Sequence, residues 1–264
     1  MTDLFKPETV NLFSEAFVSQ VDKALINKRA SQPKRQYLGA SLWGETCERK
    51  LGYIFHQHPE DEGSGFTANT LRIFDMGHDC EDRVAEYVKI AGFELVTHKA
   101  DGGQFGFEAA EGKLKGHIDG VITGGPAFTQ FEYPVLWENK GLNNKSWNDT
   151  LKKGVKGSKP LYYSQAQTYM AYMELTNGCV FTFLNRDSGE LASEFLPFDA
   201  RQAQESSDRA VRVVKSSHPV ELSKCTNDPA DFRCKWCNFK KTCWDSGITT
   251  VTTTDTLPLW LRKK

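Results

Sequence analysis

The 264-residue sequence has no apolar run approaching about eighteen residues, which excludes a bilayer-spanning helix. Its opening, MTDLFKPETV, lacks the basic-then-apolar order of a secretory leader, so the expectation is a chain that is not exported. No internal repeat is present, and the composition excludes a disordered, collagen-like or coiled-coil protein. Neither sign of charge is in surplus: 33 basic and 34 acidic side chains leave a net −1. A broadly basic nucleic-acid coat is thereby excluded, and any nucleic-acid site has to be a local patch. What is present is globular: 39% hydrophobic, 12% aromatic and 25% charged residues, enough for one large domain or two small ones.

Seven cysteines without an export signal argue against a disulfide framework and for thiols or metal ligands in a reducing, cytoplasmic compartment. Cys225, Cys234, Cys237 and Cys243 crowd together near the C-terminus, whereas Cys47, Cys80 and Cys179 stand apart. Cys80 and Cys179 read as small buried hydrophobes.

Hydrophobic spacing predicts an amphipathic helix from Asn11 to Ala30 through Phe13, Phe17, Val21 and Leu25. A shorter helical pattern follows at Ser41–Phe55, and a third, with Asn69 as N-cap and Gly92 as stop, at Asn69–Ala91. Period-two patterns predict strands at Phe93–His98, Gln104–Ala109, Leu114–Thr123 and Val135–Leu142. A helix is expected at Pro160–Leu175, strands at Cys179–Asn185 and Leu191–Phe198, and a helix at Asp199–Ser216. This order fits an α/β fold, a mixed central sheet flanked by helices, with N-terminal helices and a cysteine-rich C-terminal cap.

Two adjacent predicted strands carry the chemistry. Gly116-His117-Ile118-Asp119-Gly120 is an apolar strand interrupted by an acid, and Val135-Leu136-Trp137-Glu138-Asn139-Lys140 ends in Glu-x-Lys. Alternation puts Glu138 and Lys140 on one face, with Asn139 opposite. Beside Asp119, that face would gather two carboxylates and an ammonium. Carboxylate oxygens suit Mg²⁺ or Mn²⁺. Such an ion activates water and stabilises charge on a phosphate, and Lys140 could orient or deprotonate that water. Glu-x-Lys alone is more often an exposed ion pair.

Its company gives it meaning. Upstream, His78 and Glu81 in Gly77-His78-Asp79-Cys80-Glu81 share a helical face; downstream, Gln165 and Tyr169 stand at i, i+4. The order helix Gly-His, strand Ile-Asp-Gly, strand Glu-x-Lys, helix Gln-x-x-x-Tyr resembles the PD-(D/E)xK nuclease superfamily, in its RecB-like exonuclease branch. The resemblance covers about Cys47 to Cys243 and departs at Ile118, where the superfamily nominally has proline. It implies a restriction-endonuclease-like core in which Asp119 and Glu138 hold a divalent metal with His78 and the backbone carbonyl of Asn139. Lys140 would be the catalytic lysine, and Gln165 and Tyr169 would steady the lysine, the phosphate or the terminal nucleotide.

Cys234-x₂-Cys237-x₅-Cys243 is a thiolate cluster that points to a metal. Its fourth ligand is either the local Cys225, giving a Cys₄ zinc site, or the distant Cys47; spacing does not separate the two. The resemblance favours Cys47, because an iron–sulfur subset of RecB-like nucleases, CRISPR-associated members included, has one distant and three clustered cysteines. It implies a [4Fe–4S] cluster stapling the N-terminal helices to the C-terminal cap.

Between Lys140 and Lys159 six lysines face one acid, Asp149. With Gly154 and Gly157 the stretch reads as a flexible basic flap, in which Lys145, Lys152, Lys153, Lys156 and Lys159 grip phosphates and Trp147 stacks on a base. A second basic-aromatic patch is Phe232-Arg233-Cys234-Lys235-Trp236.

Taken with the resemblance, these features lead to the expectation of a Mg²⁺- or Mn²⁺-dependent DNA exonuclease acting on single strands or DNA ends. Recombination, repair or replication-associated processing is the expected role, with a partner protein of that machinery, in a bacterial cell or a virus infecting one. The expected organisation is one nuclease domain over 1–246 (N-terminal helices 11–91, catalytic core 92–217, cap 218–246) and a Thr-rich tail over 247–264. The competing readings are a non-catalytic DNA-binding module with zinc at the cysteines, and a structure-specific or restriction endonuclease.

Overall fold

The computed structural model describes residues 7–245, so the Thr-rich tail and its Leu259-Trp260-Leu261 end lie outside the described residues. In chain order the helices and strands begin with α1 (Pro7–Ala30), β1 (Leu38–Gly39), α2 (Glu48–Phe55) and α3 (Ala68–Ile90). Then come β2 (Glu94–Val96), β3 (Gly106–Ala109), β4 (Leu114–His117), β5 (Gly120–Gly124) and β6 (Val135–Leu142). After them follow α4 (Asn144–Ser158), α5 (Pro160–Tyr172), β7 (Cys179–Asn185), β8 (Leu191–Leu196) and α6 (Ala200–Lys215). Two short helices, α7 (Phe232–Lys235) and α8 (Lys240–Asp245), close the described chain. Among the described residues no helix is long and apolar enough to cross a membrane.

The strands form two mixed sheets flanked by helices: the mixed α/β class is as the pattern of elements predicts, with a three-stranded sheet in addition to the expected central one. One has the order β2-β5-β6-β7-β8 and the other β1-β4-β3, with β6–β7 and β1–β4 the parallel pairs. Central β6 explains the larger sheet. Its first five residues are buried and it is paired on both edges, so both faces need cover. Leu136 packs in a core cluster with α5 and α6 residues, among them Ala166, Met170, Ala210 and Val213. Val135 and Trp137, one step out of phase, pack instead against Val84 and Ala85 of α3. The even positions of β6 therefore look toward α5 and the odd ones toward α3.

Three details differ from the sequence pattern. First, Leu114–Thr123 is not one strand: the chain breaks at Ile118–Asp119, and β4 and β5 enter different sheets. Leu114, Gly116, Ile118, Gly120 and Ile122 are all buried, so period two runs through the break and hides it. The two cores reveal it, since Ile118 joins one cluster and Ile122 the other.

Second, the expected flap is helix α4. The Asn143 side chain caps it by accepting the Ser146 N–H at 2.8 Å, and Trp147, Thr150 and Val155 form its buried stripe. Only Gly154 departs from helical geometry, at φ 69°; Glu194 Oε2 accepts the freed Val155 N–H at 2.7 Å.

Third, α3 is capped by Thr67, which accepts the Thr70 N–H, and not by Asn69. Helix α1 forms as expected, tied to α3 by Arg72 and Asp22 at 2.5 Å. Its apolar residues Phe13, Phe17 and Val21 are exposed rather than packed on a core.

Candidate active site

The break at Ile118–Asp119 takes Asp119 out of both strand ladders and turns its carboxylate toward β6. Asp119 Oδ2 accepts the backbone N–H of Asn139 at 2.8 Å. Glu138, on the α5 side of β6, is fully buried, and its Oε1 accepts from Gln165 Nε2 at 2.7 Å. Gln165 also donates to the Tyr169 hydroxyl at 3.3 Å, so the i, i+4 pair of α5 acts as one bracket beneath the acid. A close approach of α5 to β4 permits this: a Cβ at Gly116 would lie 2.8 Å from the Tyr169 ring. Thr182 on β7 fixes the other side, donating to Asn139 Oδ1 at 2.9 Å.

Lys140 completes the group. Its Nζ lies 2.6 Å from Glu138 Oε1, 2.9 Å from the Asn139 carbonyl oxygen and 3.4 Å from Asp119 Oδ2. Three oxygen acceptors from two chain segments therefore converge on one positive charge. The other oxygen of Glu138, Oε2, is buried and has no hydrogen-bond partner. An unpaired buried carboxylate oxygen is costly unless a cation or proton satisfies it.

Electrostatics points the same way. Burial pushes Glu138 up to about 8, Asp119 adds to the rise, and Lys140 opposes it. Burial works against the Lys140 ammonium, but Asp119 and Glu138 outweigh it, so Lys140 is held charged far above its ordinary value. Burial also raises the Tyr169 phenol and keeps it neutral, with Glu138 adding to the effect.

Glu81 on α3 belongs to the same electrostatic cluster. It is pushed up to about 7, first by burial and then by the negative charge of Asp119, with Lys140 pulling the other way. Two carboxylates thus contact one ammonium and a third, Glu81, interacts with them electrostatically, so acids outnumber the single cation.

Asp119, Glu138, the Asn139 carbonyl, Lys140, Gln165 and Tyr169 are therefore brought together. His78 is not among them: its side chain is 81% exposed, and its one ion-pair contact among the described residues is Glu81 at 3.9 Å. Sequence reasoning noted Glu81 only as a neighbour of His78. The signal that could have found it is its i+3 position on a helix whose Val84 and Ala85 face the sheet.

The basic segment fares unevenly. Lys153 pairs with Asp149 at 2.7 Å and Lys156 with Asp199 at 3.1 Å, while Lys159 bonds the Ser146 hydroxyl. Lys145 and Lys152 have no ion pair among the described residues. Trp147 cannot stack on a base, because it is 8% exposed and packs in the core edge-on to Phe183. Trp147→Phe is expected to cost about 1–2 kcal/mol of stability through lost packing, measured by denaturant unfolding. DNA affinity should stay unchanged; a drop in affinity in the folded variant would restore the stacking role.

The cysteines meet as well. Cys47, Cys225, Cys234, Cys237 and Cys243 line one cavity of about 190 Å³ between α2 and the C-terminal helices. Burial and the Cys47 thiol beside it push Cys225 up to about 12. Cys179 is fully buried, as expected; Cys80 is half-buried against Gly141.

No family model matches the chain. No curated protein matches it either. Among solved structures, the crystal structure of SSO0001 is similar, with a TM-score of 0.50 and 14% identity over 90% of this chain and 100% of that chain. That likeness is one of fold. An alkaline exonuclease (LHK-Exo) from Laribacter hongkongensis is similar at a TM-score of 0.47 and 17% identity, over 69% of this chain and 87% of its own. The same enzyme in complex with dAMP gives 0.48 and 18%, over 68% and 86%.

Among the described residues no three His, Cys, Asp or Glu side chains stand as a ready-made metal cage. At the carboxylates the oxygens are gathered instead around the Lys140 ammonium. An oxygen-only donor set, a buried carboxylate oxygen without a partner and an excess of negative charge fit a hard divalent ion. Five thiols around one cavity fit a thiophilic metal or cluster.

Proposed function

We propose that the protein is a metal-dependent DNA nuclease of the RecB-like, PD-(D/E)xK type, with a restriction-endonuclease-like core acting as an exonuclease. One observation carries this reading: Asp119 Oδ2, Glu138 Oε1 and the Asn139 carbonyl converge on the Lys140 ammonium, while Glu138 Oε2 is left without a partner. A DNA-binding module without catalysis has no use for such a pocket, because its carboxylates repel phosphate.

In this reading Asp119, Glu138 and the Asn139 carbonyl hold Mg²⁺ or Mn²⁺. When bound, the ion activates water and stabilises charge on the scissile phosphate. Lys140, held as an ammonium, donates hydrogen bonds to the attacking water or to a phosphate oxygen and does not serve as a base. Gln165 holds Glu138 Oε1, and the neutral Tyr169 hydroxyl holds Gln165, so both are positioning residues. Glu81 supplies the third acid from α3. His78, which the motif order assigns to the metal, sits on the same helix with its side chain turned to solvent.

In that hydrolysis the oxygen of water bonds to phosphorus, the phosphorus–3′-oxygen bond breaks, one water proton ends on the leaving 3′-oxygen by way of solvent, and the other product carries the 5′-phosphate. Lys145 and Lys152, the lysines of α4 with no ion pair among the described residues, are the available phosphate contacts beside β6. The cysteine cavity takes a [4Fe–4S] cluster on Cys47, Cys234, Cys237 and Cys243, or zinc with Cys225; iron and zinc analysis of the purified protein decides between them. The whole would be one nuclease unit with an attached cap, serving recombination, repair or replication-associated DNA processing in a bacterial or viral setting.

The test is digestion of end-labelled linear single- and double-stranded DNA with Mg²⁺ or Mn²⁺. The reading expects release of nucleotides from an end, abolished by EDTA and restored by added metal. Efficient cutting of covalently closed circles would make the enzyme an endonuclease. Absence of cleavage on every substrate would remove the catalytic reading.

A further inference from the structure

We propose that Trp236 and Phe232, on the cysteine-rich cap, form a stacking platform for the unpaired bases of a single-stranded nucleic acid. The inference rests on the nucleic-acid reading above and adds a contact surface that neither the carboxylate site nor the α4 lysines provide.

Trp236 is 78% exposed and Phe232 74% exposed, on the same short helical turn of the chain. Large aromatic rings left this open in a folded chain mark a surface that something else covers. Their surroundings decide what that is. Residues 232–241 contain four cations, Arg233, Lys235, Lys240 and Lys241, and no acid, in a chain whose net charge is −1. Lys235 Nζ stands 5.5 Å from the Trp236 ring centre, and the Arg233 guanidinium 5.9 Å from that of Phe232. An apolar protein helix would match the rings but would strand the cations. A duplex would match the cations but keeps its base faces stacked inside. A single strand offers both phosphates and free base faces.

The platform is also held still, which a binding surface needs. Asp231 fixes Arg233 through a charge pair at 2.7 Å. Asp61, from the segment between α2 and α3, accepts the Lys241 and Thr242 N–H groups at 2.6 and 3.1 Å. These two acids are thus engaged within the cap and are poorly placed to neutralise Lys235.

The platform is joined to the carboxylate site. Trp236 and Cys47 line the same cavity. Three residues before Cys47, Gly44 lies so close to α5 that a Cβ there would sit 2.5 Å from Ser164 Cβ, next to Gln165.

The experiment uses the full chain in EDTA and a short oligo(dT) carrying one 2-aminopurine, so that binding is read without cleavage. Stacking is expected to quench the 2-aminopurine with the native protein. Trp236→Ala should raise Kd roughly ten-fold or more and abolish the quench, and Trp236→Phe should keep most of both. Lys235→Ala should lower the salt slope of log K by about one. Unaltered binding and quenching in Trp236→Ala, with an unchanged circular dichroism spectrum, would overturn the platform and leave the nuclease reading standing. Failure of the native protein to bind any oligonucleotide would sink the nucleic-acid reading itself. A Trp236-dependent dimer in sedimentation without DNA would make the rings a contact between copies and overturn the proposal.

Discussion

Glu138→Ala is expected to lower the rate of DNA cleavage by roughly 10²–10⁴-fold while DNA is still bound. Among the described residues Glu138 is the one acid that is fully buried, and it is linked both to Lys140 and to the Gln165–Tyr169 bracket. In the proposed reading, removing it takes away an oxygen that would hold the metal, together with the partner that holds the ammonium in place. Lys140→Ala should cost a comparable factor for a different reason: the oxygens remain, but no donor faces the water or the phosphate. The two losses should combine less than additively, because both side chains act in one cluster. Normal turnover in either folded variant would remove the catalytic assignment.

The second large effect concerns pH. Burial pushes Glu138 up to about 8 in the folded protein, against an ordinary 4.5, and pushes Glu81 up to about 7. Between those ordinary and raised values the unfolded chain has released protons that the folded chain still holds. Stability from these groups is therefore fully present below about pH 4.5 and is lost as pH rises through 7 and 8. Lys140 stays charged throughout that window and adds no slope. In EDTA the loss between pH 6 and 9 should amount to roughly 2–5 kcal/mol in thermal or denaturant unfolding. Divalent metal replaces the proton, so added Mg²⁺ should bind more tightly as pH rises and reduce the loss. Glu138→Gln, which cannot ionise, should flatten the EDTA profile. Parallel profiles for the native protein and Glu138→Gln would contradict the burial argument.

Much of this arrangement is legible in the residue pattern, for a physical reason. Glu138 and Lys140 share a face because strands alternate, and Gln165 and Tyr169 share one because helices repeat every 3.6 residues. Local periodicity therefore carries them. Asp119 is legible as an acid in an apolar run, but not the break that frees it, because burial keeps period two through Ile118 and Asp119. The helix α4 is hidden for the opposite reason. Its lysines and glycines read as loop, while the evidence for order is a cap at Asn143 and a tertiary bond from Glu194 that local sequence does not contain. Trp147 follows from that: once α4 is a helix, its buried stripe claims the indole. Glu81 and His78 differ by less than a turn, and only the packing of α3 on β6 decides which side chain looks inward. The meeting of Cys47 with the C-terminal cysteines is a long-range contact of the same kind.

Asp119 and Glu138 are proposed to share a divalent ion through their carboxylate oxygens. Titration of the native protein with Mn²⁺, followed by electron paramagnetic resonance at pH 8, tests it most directly. Saturable loss of the free Mn²⁺ signal is expected, with binding weakened at least roughly ten-fold in both Asp119→Ala and Glu138→Ala. Binding of undiminished strength and stoichiometry in those two variants would contradict it.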